Sequence, residues 1–201
     1  MKSRMRIVLA GLAVLALGAC GSSPKATYYT LTESPMKMPG AGKAPSIVVA
    51  PAVLPDVIDR PQMVVRTASN NVQLLEQHRW ADSLRQEISR VIAGDLGRQL
   101  DSSRVLALVD VAQAVDADFR LLLQVQRLDT IPGEGVAVDI NWQLVPRSGR
   151  TYVGRSAVNE PATKGAATDD GYAALVAAHR RALDRVAAEI ALAVKAMPPT
   201  R

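Results

Sequence analysis

The sequence predicts an α+β domain: a two-layer sandwich in which a mostly antiparallel sheet carries two main helices packed on one face. Two segments, 119–126 and 136–144, alternate apolar and polar residues with the period of a strand. Two others, about 81–100 and from 168 to 197, place apolar residues at helical spacing. The strands and both helices each have one apolar side to bury, and packing them on each other buries all of it.

The N-terminus is read first as an address. Met1-Lys2-Ser3-Arg4-Met5-Arg6 carries three positive charges, Ile7 to Leu17 is apolar or glycine, and Gly18-Ala19 puts small residues before Cys20. That order is a bacterial lipoprotein signal. The eleven residues from Ile7 to Leu17 are too few for a transmembrane helix, which needs about 20. Cleavage is expected between Ala19 and Cys20, with diacylglycerol on the Cys20 thiol and palmitate among the added acyl chains. Each buried methylene contributes about 0.8 kcal/mol, so two or three chains hold a protein to a membrane. Gly21 stands where Asp would signal retention in the inner membrane, so an outer-membrane, periplasm-facing, lipid-anchored location is expected.

The chain therefore divides into a signal peptide (1–19), a lipidated tether (20–26), one α+β domain (27–197) and a C-terminal tail (198–201). Lys2, Arg4 and Arg6 supply three of the five net positive charges and leave with the signal, which removes the main argument for nucleic-acid binding. Cys20 is the sole cysteine, so a disulfide or a thiolate metal site is excluded once it is acylated.

Thr27 to Leu31 is aromatic and β-branched, a strand. Ser34 to Ser46 holds three prolines and two glycines and reads as a loop. Ile47 to Ala50 is a continuous apolar run stopped by Pro51, as in a strand buried on both faces. Gln62–Arg66 and Val72–Glu76 form a hairpin through Ser69-Asn70-Asn71, with Pro61 at a strand start or on an edge. From Trp80 the period becomes helical: Leu84, Ile88, Val91, Ile92, Leu96 and Leu100 share a face over about 81–100. Ser83 with Gln86 suggests a capping box, and Asp82 competes as the cap. Arg104 to Val109 reads as a short buried strand.

Phe119, Leu121, Leu123 and Val125 alternate with Arg120, Leu122, Gln124 and Gln126. Val136, Val138, Ile140, Trp142 and Leu144 alternate with Ala137, Asp139, Asn141 and Gln143. Pro132-Gly133 and Ser148-Gly149 are the turns on either side, and Thr151 to Val158 completes an antiparallel meander. Thr168-Asp169-Asp170 suits the start of the last helix, whose stripe runs from Tyr172 through His179 to Met197 and ends at Pro198-Pro199.

No catalytic or metal motif is present, and no cofactor is expected. His78 and His179 share no ligand spacing; His179 is expected to be a partly buried helix residue with one hydrogen bond. Gly133-Glu134-Gly135 joins two strands and opens no helix, so it is a turn and not a phosphate loop. With one Phe, two Trp and four Tyr, the chain has no stacking platform for nucleic acid. The segment Asp59-Arg60-Pro61-Gln62-Met63-Val64-Val65-Arg66 is either a strand edge protected by charge or a docking edge. Docking would use Asp59, Arg60, Gln62 and Arg66.

Taken together, the Cys20 motif, Tyr28-Tyr29-Thr30-Leu31, Ile47-Val48-Val49, Asp59 to Arg66 and Arg79-Trp80-Ala81 ahead of Leu84 resemble the auxiliary lipoprotein family of ABC-type transport systems. The order and spacing of these segments carry the resemblance; the C-terminal meander and Ala-rich helix match in pattern only. The resemblance implies a non-enzymatic outer-membrane subunit that docks the periplasmic end of an MCE-domain protein in lipid transport and supports envelope integrity. It also implies that a homo-oligomeric ring can form. A periplasmic lipid-binding or chaperone lipoprotein is the alternative, although Gln124, Asp139, Asn141 and Gln143 offer little apolar lining for a cavity.

Overall fold

A computed structural model describes residues 25–32, 40, 44–108, 116–162 and 171–197. The signal, Cys20, most of the 34–46 loop, Thr168-Asp169-Asp170 and Pro198-Pro199 lie outside the described residues. The elements run β1 (Thr27–Tyr29), β2 (Ile47–Val49), β3 (Gln62–Ala68), β4 (Asn71–Trp80), α1 (Leu84–Gln99), β5 (Val105–Ala107), β6 (Phe119–Ile131), β7 (Gly135–Pro146), β8 (Tyr152–Pro161) and α2 (Tyr172–Lys195).

The architecture is α+β with both helices packed against sheet, and the strands fall into two mixed sheets. One sheet has the order β1-β4-β3, the other β5-β2-β6-β7-β8. β1 lies parallel to β4, and β2 lies parallel to both β5 and β6. Ile47, Val48 and Val49 are all buried, as their unbroken apolar run requires for an interior parallel strand. β6, β7 and β8 form the antiparallel meander. Its inner positions include Phe119, Leu121, Leu123, Val125, Val136, Val138, Ile140 and Leu144. A register shift between Val125 and Arg127 changes the phase of β6, so that Leu128 and Thr130 continue the inner face.

Four local expectations are corrected. β4 continues to Trp80, whose register partner is Tyr29, so the helical period starts only at Leu84. Ser83 is the N-cap without any side-chain cap bond, so the capping box is not formed. Instead Asp82 Oδ1 accepts the Ser83 N–H at 2.7 Å, and the Ser83 carbonyl accepts from Gln86 and Glu87. β5 is an edge strand and not a buried one, because it pairs on one side only: Leu106 is 52% exposed. At the second helix, Gly171 is the N-cap in the left-handed region at φ 83°, where glycine carries no Cβ penalty.

α2 buries Leu175, Ala178, Ala182, Leu183, Val186 and Ile190. Its alanines let it lie close to the sheet and to α1. His179 is fully buried on this stripe and makes two hydrogen bonds, correcting the expectation of partial burial and one. Nδ1 lies 2.8 Å from the Leu175 carbonyl, which can only accept, so Nδ1 carries the proton. Nε2 then accepts the Thr130 hydroxyl at 3.0 Å. The ring also meets Trp80 edge-on, 5.6 Å between centroids. Burial pushes the His179 pKa down to about 4, with the Leu175 carbonyl opposing.

Two predictions follow from this packing. The folded state holds His179 neutral between its pKa of about 4 and the unfolded value of 6.5, while the unfolded chain binds a proton there. Stability therefore falls as pH drops through that window, by about 2 kcal/mol between pH 7 and pH 5; urea unfolding of wild type and His179→Gln checks it, the variant losing this component. Separately, a Cβ on Gly154 would stand 2.1 Å from the Trp142 ring on the facing strand. Gly154→Ala is expected to cost about 1–3 kcal/mol of stability, read as a lowered midpoint without a change in slope.

Candidate docking site

Three segments meet at the end of the three-stranded sheet. The Trp80 N–H donates to the Pro61 carbonyl at 2.7 Å, and the Ala81 N–H to the Tyr29 carbonyl at 2.7 Å. Pro61 has no N–H to give, so it lies just ahead of β3 and contributes only its carbonyl to this junction. Between Asp59-Arg60-Pro61 and the stretch from Trp80 to Leu84 lies a cavity of about 320 Å³. Its floor is apolar, with Trp80 and Leu84 buried, and its rim is polar. The two sequence segments singled out on separate grounds, Asp59 to Arg66 and Arg79-Trp80-Ala81, are neighbours here.

The charges around the cavity are mostly committed. Asp59 Oδ2 receives Arg85 Nε at 2.7 Å and Nη2 as well, and the Arg85 hydrogen bond holds the Asp59 carboxyl below its ordinary range. Asp82 is paired with Arg90 at 2.5 Å, which together with the Ser83 N–H lowers its pKa. Arg60 differs: among the described residues its Nη2 donates to the Asp56 carbonyl at 3.1 Å, and its buried Nε meets no acceptor.

Of the four residues nominated from sequence, Asp59 and Arg60 line this cavity and Gln62 and Arg66 do not. Gln62 donates to Glu76 at 3.2 Å across the hairpin. Arg66 donates to the Ser69 carbonyl and, at 2.7 Å, to Asp129 on β6, so it braces one sheet against the other. Sequence reasoning missed Arg85, which holds Asp59, and Glu87. Glu87 is nearly fully buried one turn into α1, where its two oxygens accept the Thr30 hydroxyl and the Leu31 N–H at 2.5 and 3.0 Å. Glu87 lies just off the apolar stripe of Leu84, Ile88, Val91 and Ile92, and a glutamate there signals nothing unless the facing strand is known.

Among the described residues no group of three or more His, Cys, Asp or Glu is placed to hold a metal ion. His78 Nδ1 is bonded to the Tyr29 hydroxyl at 2.9 Å, and His179 is in the core. What the arrangement offers is a cation, backbone polar groups and an apolar floor, which suits binding. Among the described residues no helix is long and apolar enough to cross a membrane.

The fold is that of a small α+β domain with two mixed sheets and two helices. The profile of the ABC-type transport auxiliary lipoprotein component family matches residues 29–191, and the chain belongs to that family. Its architecture is similar to that of an uncharacterised crystal structure, at 18% identity and TM-score 0.64, covering 85% of this chain and 99% of the other. It is also similar to a Xanthomonas campestris protein described as a member of family DUF330, at 21% identity and TM-score 0.58, covering 83% and 93%. These likenesses concern the fold. No curated protein matches the sequence.

Glu87→Ala removes both buried acceptor oxygens and leaves the Leu31 N–H and the Thr30 hydroxyl without this partner. A loss of about 1–3 kcal/mol is expected, with faster amide exchange at Leu31 as the local readout.

Proposed function

We propose that this auxiliary lipoprotein is anchored in the outer membrane through acylated Cys20 and docks the periplasmic end of an MCE-domain protein, as part of an ABC-type lipid transport system that maintains the envelope. Family membership supports the transport association. The anchor rests on the signal motif ending at Cys20, and the outer-membrane placement on Gly21. The single observation that carries the docking role is the convergence of Asp59-Arg60-Pro61 with Trp80 to Leu84 around one cavity. The protein does no bond chemistry in this reading; it holds a partner at a fixed distance from a membrane. Assembly into a homo-oligomeric ring is part of the same proposal and would repeat the docking surface around the conduit.

Arg60 is the informative residue to change, because it bonds only one backbone carbonyl, whereas reversing Arg66 would also break the brace to Asp129. Arg60→Glu is expected to weaken co-purification of the MCE-domain protein from membranes by about tenfold, or about 1.4 kcal/mol, with the unfolding midpoint retained. Cys20→Ser is expected to release the protein from the outer membrane. Unchanged capture by Arg60→Glu would remove the cavity from docking, and failure of the wild-type protein to capture any MCE-domain protein would overturn the assignment.

A further inference from the structure

The charge balance of the cavity indicates what kind of group it takes. Asp59 is neutralised by Arg85 and Asp82 by Arg90, so the two acids on the wall carry their own counter-charges. Arg60 has no carboxylate within ion-pair distance among the described residues, and its Nε–H is buried without an acceptor. The adjoining end of α1, a helix of 16 residues, has no side-chain cap. A guanidinium without a carboxylate calls for an oxygen acceptor bearing negative charge, and the positive end of α1 beside it, where Asp82 already accepts the Ser83 N–H, favours the same sign.

We infer that the cavity receives one carboxylate, an Asp or Glu side chain or a chain terminus of the docked polypeptide, paired with Arg60. This rests on the docking surface proposed above and names the group it recognises. Of the three charged residues that line the cavity, Asp59 and Asp82 are paired and Arg60 is not, which suits a monoanion. A phosphate dianion or a multiply charged headgroup would meet Asp59 and Asp82 on the same wall without further cations to offset them. The planar fork of arginine suits a carboxylate geometrically. Trp80, Leu84 and Pro61 supply apolar contact for the methylene stem of the side chain.

The test uses the full chain in detergent micelles and N-acetyl-L-glutamic acid α-amide, which carries a single side-chain carboxylate. Its neutral counterpart, N-acetyl-L-glutamine α-amide, and inorganic phosphate are the comparison probes. Titration is followed by NMR at the arginine Nε–H resonance that disappears in Arg60→Gln. The glutamic derivative is expected to move that resonance saturably, Arg60→Gln to lose at least tenfold in affinity by the amide shifts of Ala81 to Leu84, and Arg60→Lys to lose less. An absence of saturable shift, equal binding of the glutamine derivative, or phosphate binding as tight as the carboxylate overturns the inference.

The docking reading fails separately. If the MCE-domain protein is captured equally well by wild type and Arg60→Gln, and the carboxylate probe does not bind, the carboxylate inference falls and the partnership stands. If the probe binds through Arg60 and no MCE-domain protein is captured, the partnership falls and the recognition chemistry stands. In the complex itself, replacing the contacted acid of the partner by arginine is expected to restore capture to Arg60→Glu. A photo-crosslink from position 83 that maps to a lipid, to a second copy of this chain, or to a segment without an acid or chain terminus counts against the inference.

Discussion

The polar groups buried on helix α1 set the arrangement of everything around it. Glu87, Ser89 and Asp95 are each 2% exposed or less, and each finds its partner in a different part of the protein. Glu87 takes the hydroxyl and amide that follow β1, Ser89 donates to the Ala50 carbonyl just after β2, and Asp95 is gripped by Arg180 of α2 with Arg98 beside it. Burial pushes the Asp95 carboxyl up while Arg180 and Arg98 oppose it. A buried acceptor without a donor costs about 1–3 kcal/mol and a buried charge without its partner more. Turning α1 by one residue, about 100°, would break all three sets together. Apolar packing draws α1 into the core, and these polar contacts select its rotation.

The two sheets are held in relation by the same logic. The three-stranded sheet hangs from α1 through Glu87 and from β6 through the Arg66 to Asp129 pair. At the other end of the meander, Glu160 on β8 is buried and meets Arg181 and Arg185 of α2. Glu160 is a buried acid held by two arginines, and Arg66 reaches the half-buried Asp129. His179 extends the pattern as a neutral polar group with both ring nitrogens satisfied. The core is therefore apolar in bulk and addressed by a few polar contacts.

This construction bears on the proposed function. Under the anchoring proposed at Cys20, seven residues lead to Thr27, spanning at most about 25 Å at full extension. β1 then runs parallel to the end of β4 and delivers its Tyr29 carbonyl to Ala81 on the cavity wall. Glu87 fastens the following residues to the helix that forms another wall. A pull between membrane and partner would thus pass through β1, Glu87 and α1, a short path made of buried hydrogen bonds.

Much of this was legible in the sequence. The expectation of a signal ending at Cys20 rests on a linear motif and lies outside the described residues. The meander and both helices read from period, since Phe119 to Val125 and Val136 to Leu144 bury the side that alternation designates. The family followed from the order of short segments. Other features depended on contacts between residues far apart in the chain. Alternation tells which side of a strand is buried and not which strand lies beside it, so the division into two sheets and the edge position of β5 came only from pairing. Trp80 looked helical because its true neighbour, Tyr29, is fifty-one residues away. Asp59 and Arg66 looked equivalent as charged docking residues, yet Arg85 neutralises the one and Asp129 occupies the other. The sequence alone determined the family and the class of fold; the tertiary structure decided which charges around Pro61 are paired and which is left over, because neutralisation depends on distance in space.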